Sequence, residues 1–426
     1  MFTERTSVGL DVHARSVVAA GLDTVSGQRF RARLCPDHGE IRRWLGELPA
    51  PVAVASEAGP TGFGLARALR GAGLRCEVVA PSKLQRPAGD RIKTDSHDAM
   101  HLARLLRMDE IVAVRVPTAE EEAARDLVRA REDARGDVMR ARHRTSKLLL
   151  RHGIVYSGGG TWTQTHHRWL QHQRFPLAST QTAFDTGYET VVLAEARRDR
   201  LDKAIIALAT DPAWAPTVIK LSCLRGISTL TGFALAVEIG DWSRFNGATI
   251  GAYLGLVPSE FSSGTKRSQG PITKTGNVHA RRLLVEAAWH HLRPYRAPGL
   301  TMRARWAAAP PAAQARGHAG NLRLHARWMA LRARLGRASH QNVGSAVAQS
   351  LAAGCSTRCR HRWDAGRPGL GGSVGQGGQR PAPGPRPWTT RNLGAEGDTA
   401  QTGTKASTRR TTSRAVIPSL VSANAV

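Results

Sequence analysis

The chain has 426 residues, which is enough for two or three domains whose cores need no disulfides to be stable. Lys and Arg total 61 against 33 Asp and Glu, and the resulting formal charge of +28 indicates a polyanionic partner. Five scattered cysteines exclude a disulfide-framed secreted domain and fit a reducing cytosol. Because no signal-like segment and no run of about 18 apolar residues occurs, we expect a soluble cytoplasmic protein without a membrane partner.

The N-terminal part, residues 5–115, is predicted to be an α/β domain. Short apolar runs predict strands and amphipathic patterns predict helices, in the order three strands, helix, strand, helix, strand, helix. The predicted strands cover residues 8–13, 16–22, 28–34, 52–56 and 75–80, and the first two helices cover residues 37–48 and 61–71. This succession is the one that the RNase H-like fold uses.

A helical connector is predicted for residues 116–212. Thr118 with Glu121 forms the pattern of a capping box at the start of a long helix that ends near His152, and residues 182–209 are again helical. Two long helices joined by a loop favour an antiparallel hairpin, which would serve either for dimerisation or as a spacer between domains.

A mainly helical C-terminal domain is predicted for residues 213–355. Leu224-Arg225-Gly226-Ile227 before a helix at 228–239 resembles a helix–hairpin–helix element, although this signal alone is weak. From Phe261 to Trp363 the sequence has 18 Lys and Arg and a single acid, Glu286, which predicts a nucleic-acid surface. Residues 356–426 are predicted to be a disordered tail, because 11 Gly and 6 Pro occur among the 61 residues from Gly366 onward.

Four acidic residues are candidates for a metal site. Asp11 lies in an apolar strand and Glu57 ends a buried one, and a buried carboxylate needs a compensating partner. Asp95 and Asp98 are three residues apart at the start of a predicted helix, so their side chains share one face. Carboxylates are the ligands that Mg²⁺ prefers. The alternative is that Asp95 caps the helix and that Asp98 is a first-turn carboxylate favoured by the helix dipole.

A second candidate site is a hydroxyl-rich loop in the basic segment. Ser262-Ser263-Gly264 follows Leu254-Gly255-Leu256-Val257-Pro258 and precedes several cations, so a phosphate would be held beside a serine hydroxyl. The cations that we expect to contact a nucleic-acid backbone are Lys266, Arg267, Lys274, Arg281 and Arg282.

Together these motifs resemble the DEDD transposases of bacterial insertion sequences. The resemblance rests on Gly9-Leu10-Asp11-Val12-His13, Glu57 with Thr61-Gly62, Lys93-x-Asp95-x-x-Asp98-Ala99, and the Leu254–Pro258 segment with its serines, and it covers about residues 5 to 355. It implies a RuvC-like (RNase H-like) N-terminal domain and a C-terminal transposase domain with a catalytic serine. The sequence departs from the family where Gly264-Thr265 stands in place of two glycines, and in its Gly- and Pro-rich C-terminal segment.

The resemblance also implies roles for the candidate residues. Asp11, Glu57, Asp95 and Asp98 would bind Mg²⁺, and Ser262, with Ser263 as second choice, would form a transient phosphoserine bond to DNA. A structured bridge RNA would guide the protein to double-stranded donor and target DNA. The protein would act as a homo-oligomer, a dimer or tetramer, in the bacterial cytoplasm at the nucleoid.

Two other functions are compatible with the same residues. A RuvC-like structure-selective endonuclease would hydrolyse DNA with water and use Ser262 only for contact. A transposase remnant would bind nucleic acid without catalysis.

Overall fold

A computed structural model describes residues 4–84, 94–335 and 340–359 of the chain. The N-terminal part is a mixed five-stranded sheet with three helices, as the sequence predicts. Its elements are β1 (Thr6–Val12), β2 (Val17–Asp23), β3 (Arg29–Leu34), α1 (His38–Gly46), β4 (Val52–Glu57), α2 (Gly64–Gly71), β5 (Arg75–Val79) and α3 (Asp95–Arg107).

The strand order of this sheet is β3-β2-β1-β4-β5, which places β1 at the centre. The first three strands form an antiparallel meander, whereas β1, β4 and β5 run parallel to one another. Both faces of the central strands are covered, so β1 and β4 are buried along almost their whole length. The predicted order of strands and helices is therefore confirmed.

Alternate residues of the strands pack on opposite faces of the sheet. Val8, Leu10 and Val54 pack with α1 and α2 on one face, whereas Ala53 and Ala55 face α3. At Gly9 the approach of α3 is so close that a Cβ atom would collide with the Ala99 carbonyl oxygen. This glycine therefore sets the distance between β1 and the helix that carries Asp95 and Asp98.

The connector is a pair of long helices with a shorter helix at their turn. Its helices are α4 (Ala119–Arg151), α5 (Gln164–Gln171) and α6 (Ala178–Leu208). The predicted capping box at Thr118 and Glu121 is present. Arg131 of α4 donates to Asp202 of α6 at 2.7 Å. Arg142 lies later in α4 than Arg131, and it donates at 3.0 Å to Glu195, which lies earlier in α6 than Asp202. The two helices are therefore antiparallel.

The C-terminal part is helical apart from one small hairpin. Its elements are α7 (Ala215–Leu221), α8 (Thr229–Ile239), α9 (Thr249–Tyr253), β6 (Pro258–Glu260), β7 (Gln269–Ile272), α10 (Val278–Trp289), α11 (Leu300–Trp306), α12 (Pro311–Leu335) and α13 (His340–Cys359). Its core contains Phe233 of α8, Trp242, Leu284 of α10 and Trp328 of α12. From Gly232 to Ile239 every residue of α8 is buried, which fits a sequence that is apolar there except for Glu238.

The described residues belong to one compact unit, and the predicted domain limits at 115 and 212 stay predictions. The tail was predicted from residue 356, but α13 continues to Cys359, and the rest of the predicted tail lies outside the described residues. Within the described ranges, no helix is both long and apolar enough to cross a membrane.

Candidate active site

Asp11 and Glu57 lie on adjacent strands at the end of the sheet where β1 and β4 finish. Leu10 pairs with Ser56 in the parallel register, so the next residues of both strands stand side by side. Gly9 and Ala55 face α3, and alternate residues of a strand share one face. Asp11 and Glu57, each two residues further along, therefore lie on the α3 face of the sheet. The fold thus brings together two acids that are 46 positions apart in the sequence.

The N-terminus of α3 brings the other two acids to this end. Thr94 caps the helix, its side chain accepting a hydrogen bond from the His97 amide, so Asp95 and Asp98 occupy the first turn. The helix dipole favours negative charge there. The cap is therefore Thr94 and not Asp95, and the capping interpretation of Asp95 is wrong.

His13 joins Asp11 and Asp95 in a compact cluster. Its Nε2 atom lies 3.2 Å from the Asp11 Oδ2 and 3.8 Å from the Asp95 Oδ1. One ligand atom from each of the three residues lies within 4.8 Å of the others, a spacing that suits one metal ion. His13 was not predicted as a site residue, although the predicted strand at residues 8–13 places it two positions from Asp11 and so on the same face.

Asp11 has a raised pKa. Burial of the carboxyl is the main cause, and the charges of Asp95 and Asp98 add to it, whereas the charge and hydrogen bond of His13 oppose it. Asp95 and Asp98 thus both lie within electrostatic range of Asp11. A cation bound among them would remove this repulsion, as expected of a carboxylate metal site.

Glu57 lines a cavity of about 310 Å³ that opens beside the cluster. His13, His38, Thr61 and Gly62 are also in its wall. The cavity is therefore polar at the end where the cluster lies, and Glu57 borders both the cavity and the edge that carries Asp11.

The serines lie on the tip of the hairpin formed by β6 and β7. Ser262 Oγ donates a hydrogen bond to Glu260 Oε1 at 2.8 Å and accepts one from the Ser268 amide at 3.2 Å. Hydrogen bonds from Ser262 and Gln269, followed by the charge of Arg267, lower the pKa of Glu260, so it is ionised at neutral pH. An exposed serine hydroxyl thus points its proton at a carboxylate.

Ser263 is used differently from Ser262. Its backbone N–H and C=O pair with those of Lys266 and close the turn around Gly264 and Thr265. Gly264 has φ +55°, the left-handed conformation that favours glycine, whereas Thr265 is not among the residues with positive φ. One glycine therefore suffices for this turn, and the replacement of a second glycine by Thr265 leaves its backbone unstrained.

The five predicted cations differ in their surroundings. Lys266, Arg267 and Lys274 are exposed, and Arg267 lies 3.4 Å from Glu260. Arg281 donates to the Leu254 and Thr275 carbonyls, and Arg282 to Glu286 and Glu132. Arg281 thus ties α10 to the segments before and after the hairpin, and Arg282 ties α10 to α4. Contact with a nucleic acid stays a prediction for all five.

These features define an α/β protein with an acidic, metal-compatible cluster and a helical region that presents a serine hairpin. A family model described as "Transposase IS116/IS110/IS902 family" matches residues 220–300, and a DEDD transposase model of the IS110 type matches residues 8–154. The first match contains the serine hairpin, and the second contains the acidic cluster.

Two curated relatives span most of the described residues. The chain is 38% identical over 297 residues to the protein y4qE of Sinorhizobium fredii, an alignment of 68% of this chain and 72% of that one. It is 31% identical over 329 residues to the transposase for insertion sequence element IS1533 of Leptospira borgpetersenii, covering 75% and 94% of the two chains. The chain therefore belongs to the IS110/IS116 family of DEDD insertion-sequence transposases.

Proposed function

We propose that this transposase cleaves and exchanges DNA strands at the ends of an insertion sequence, with the α/β domain as a RuvC-like (RNase H-like) catalytic domain. The observation that carries the proposal is the convergence of Asp11, Glu57, Asp95 and Asp98 on one end of the central strands. The strand order β3-β2-β1-β4-β5 supports the RNase H-like assignment, because it places Asp11 on the central strand.

Asp11, Glu57, Asp95 and Asp98 would hold Mg²⁺. The donor set fits, since hard carboxylate oxygens suit this ion, and Asp95 and Asp98 add to the raised pKa that Asp11 owes mainly to burial. A bound Mg²⁺ would supply positive charge to the phosphodiester oxygens during displacement. His13 has an imidazole, which suits Mg²⁺ poorly, so we assign it the role of orienting Asp11 by hydrogen bonding.

Ser262 is proposed as the nucleophile, with Glu260 as the acceptor of its proton. A bond forms between Ser262 Oγ and a DNA phosphorus, and the bond from that phosphorus to one strand oxygen breaks. Glu260 takes the hydroxyl proton along the existing hydrogen bond and releases it to solvent, and the leaving oxygen takes one proton from solvent. Ser262 is preferred to Ser263 because only its hydroxyl has this hydrogen bond among the described contacts.

We also propose that a structured bridge RNA guides the protein to double-stranded donor and target DNA, and that the protein acts as a dimer or tetramer in the cytoplasm, at the nucleoid. The formal charge of +28 and the nearly acid-free segment from Phe261 to Trp363 support a polyanionic partner. The guide itself would be encoded beside the gene, so a structured noncoding segment there is the first thing to test.

An endonuclease that uses water is the second candidate, since all four acids belong to β1, β4 and α3 and none of them to the serine hairpin. Trapping a covalent adduct on labelled DNA ends, with Mg²⁺ and guide RNA, separates the two. We expect an adduct from wild type and from Ser263→Ala, and none from Ser262→Ala. Cleavage by Ser262→Ala at the wild-type rate would instead establish the water mechanism.

A further inference from the structure

A second basic segment lies in the connector, far along the chain from the serine hairpin. Between residues 138 and 184 the sequence contains seven Lys and Arg and no Asp or Glu. This stretch includes the end of α4, all of α5 and the beginning of α6, which together form the turn end of the helical hairpin. The proposed catalytic chemistry uses none of these residues.

Four of the cations form a stripe on one face of α4. Arg140, Arg144, Lys147 and Arg151 follow one another at spacings of four, three and four residues. At about 100° per residue they fall within about 60° of one another, over a length of about 16 Å. All four are exposed, whereas the residues of the opposite face are buried against α6, namely Ala141, Thr145 and Leu149.

The charges of this stripe are largely uncompensated. Arg140 pairs with Asp137, but among the described residues no acidic group lies within 4.0 Å of Arg144, Lys147 or Arg151. By contrast, Arg142 faces α6 and bonds Glu195 there. The cation at the interface between α4 and α6 is thus paired, whereas the exposed cations Arg144, Lys147 and Arg151 are available to bind another molecule.

The end of the hairpin is also well packed, which fixes the stripe in place. Leu149, Leu170 and Phe184 form a buried cluster with aromatic rings around it, and the Arg142 guanidinium lies 5.0 Å from the centre of the Trp162 ring. The aromatic side chains therefore support the fold here. Recognition by the stripe would rest on charge and hydrogen bonding to a backbone.

We propose that the stripe of Arg140, Arg144, Lys147 and Arg151 binds the phosphodiester backbone of a nucleic acid. A length of about 16 Å matches about five nucleotides of a strand at 3.4 Å each, so each cation can meet a separate phosphate. A second copy of the chain is a poorer partner, because identical stripes repel each other. This inference rests on the proposed function, in which the transposase binds DNA and a guide RNA. It concerns the binding of nucleic acid and is independent of the cleavage reaction.

The test compares two triple variants of the full chain. Arg144→Ala/Lys147→Ala/Arg151→Ala removes three stripe cations, and Arg197→Ala/Arg200→Ala/Lys203→Ala removes the same charge from the exposed side of α6, where acids are interspersed. Binding to a fluorescent duplex DNA and to an RNA hairpin, neither containing element sequence, is measured in EDTA over a range of salt. Circular dichroism confirms the helical content of both variants.

For the stripe variant we expect the slope of log K against log salt to fall by about 2 to 3, because three phosphate contacts are lost, with weaker binding by about tenfold or more at physiological salt. If the stripe variant loses affinity for only one of the two probes, that probe shows whether the stripe binds DNA or RNA. Equal behaviour of the two variants on both probes, or a changed oligomeric state with unchanged binding, would overturn the proposal. Since EDTA prevents metal-dependent cleavage, failure of the catalytic proposal would leave this result unaffected.

Discussion

Asp11 lies in an environment that disfavours its negative charge. It is partly buried, its pKa is raised, and its neighbours Asp95 and Asp98 carry the same charge. Such an arrangement disfavours the ionised form of the folded protein unless a cation is present. The residue is therefore kept at the expense of the stability of the metal-free protein, as is common for functional groups.

Replacement of Asp11 by Asn tests this directly. The pKa of Asp11 is higher in the folded than in the unfolded protein, so deprotonation destabilises the fold. The stability is therefore highest below the unfolded pKa and is lost as pH rises through the folded pKa. We therefore expect Asp11→Asn to melt at a higher temperature than wild type in EDTA at neutral pH, with the difference vanishing in acid. A thermal-unfolding series in EDTA measures it, with the exposed Asp109→Asn as control.

A lower melting temperature for Asp11→Asn at neutral pH would contradict this account of the cluster. Added Mg²⁺ should raise the melting temperature of wild type more than that of the variant, because binding to the folded state alone stabilises it.

Helix α8 links helix α4 of the connector to the segment that follows the serine hairpin. Its buried Glu238 is hydrogen-bonded to Asn277 at 2.7 Å and to His279 at 3.1 Å, and Arg129 of α4 lies 3.4 Å away. Burial would raise the pKa of Glu238, but the bonds of His279 and Asn277 and the charge of Arg129 lower it to about 2. Asn277 also caps α10, which begins directly after the hairpin.

Removal of the charge at Glu238 should loosen this junction. We expect Glu238→Gln to reduce the free energy of unfolding by about 2 kcal/mol, because the hydrogen bonds of Asn277 and His279 would then be made to a buried neutral amide in place of a carboxylate. The exposed Glu286→Gln should cost less than about 1 kcal/mol. Urea unfolding near pH 7 measures both, and the difference should shrink below pH 4, since a lowered pKa contributes stability that is lost as pH falls.

Equal costs for Glu238→Gln and Glu286→Gln would show that the junction depends on apolar packing alone.

Most elements of the N-terminal sheet could be predicted from the sequence, whereas several side-chain roles could not. Apolar runs and caps are local signals, so β1 to β5 and the capping box at Thr118 were predicted correctly. The pairing of Glu238 with Asn277, and of Arg281 with the Leu254 carbonyl, depends on contacts 39 and 27 residues apart. Such pairings leave no local pattern, so Arg281 was predicted only as a nucleic-acid contact.

For the whole molecule, the distribution of charge matters more than its total. The excess of +28 is concentrated in two stretches, one at the end of the helical hairpin and one from Phe261 onward, while the α/β domain contributes the acidic cluster. The chain thus separates surfaces that attract phosphates from carboxylates that would repel them. A cation at the cluster is what would allow DNA to approach Asp11 and Asp95.

The central claim is that the acidic cluster and Ser262 act in the same strand-cleavage reaction. The most direct measurement is the yield of covalent protein–DNA adduct as a function of Mg²⁺ concentration, with guide RNA, for wild type and Asp11→Asn, with peptide mapping of the adduct. We expect a Mg²⁺-dependent adduct on Ser262 in wild type and none from Asp11→Asn. An adduct formed on Ser262 by Asp11→Asn at the wild-type rate, or in EDTA, would contradict the claim.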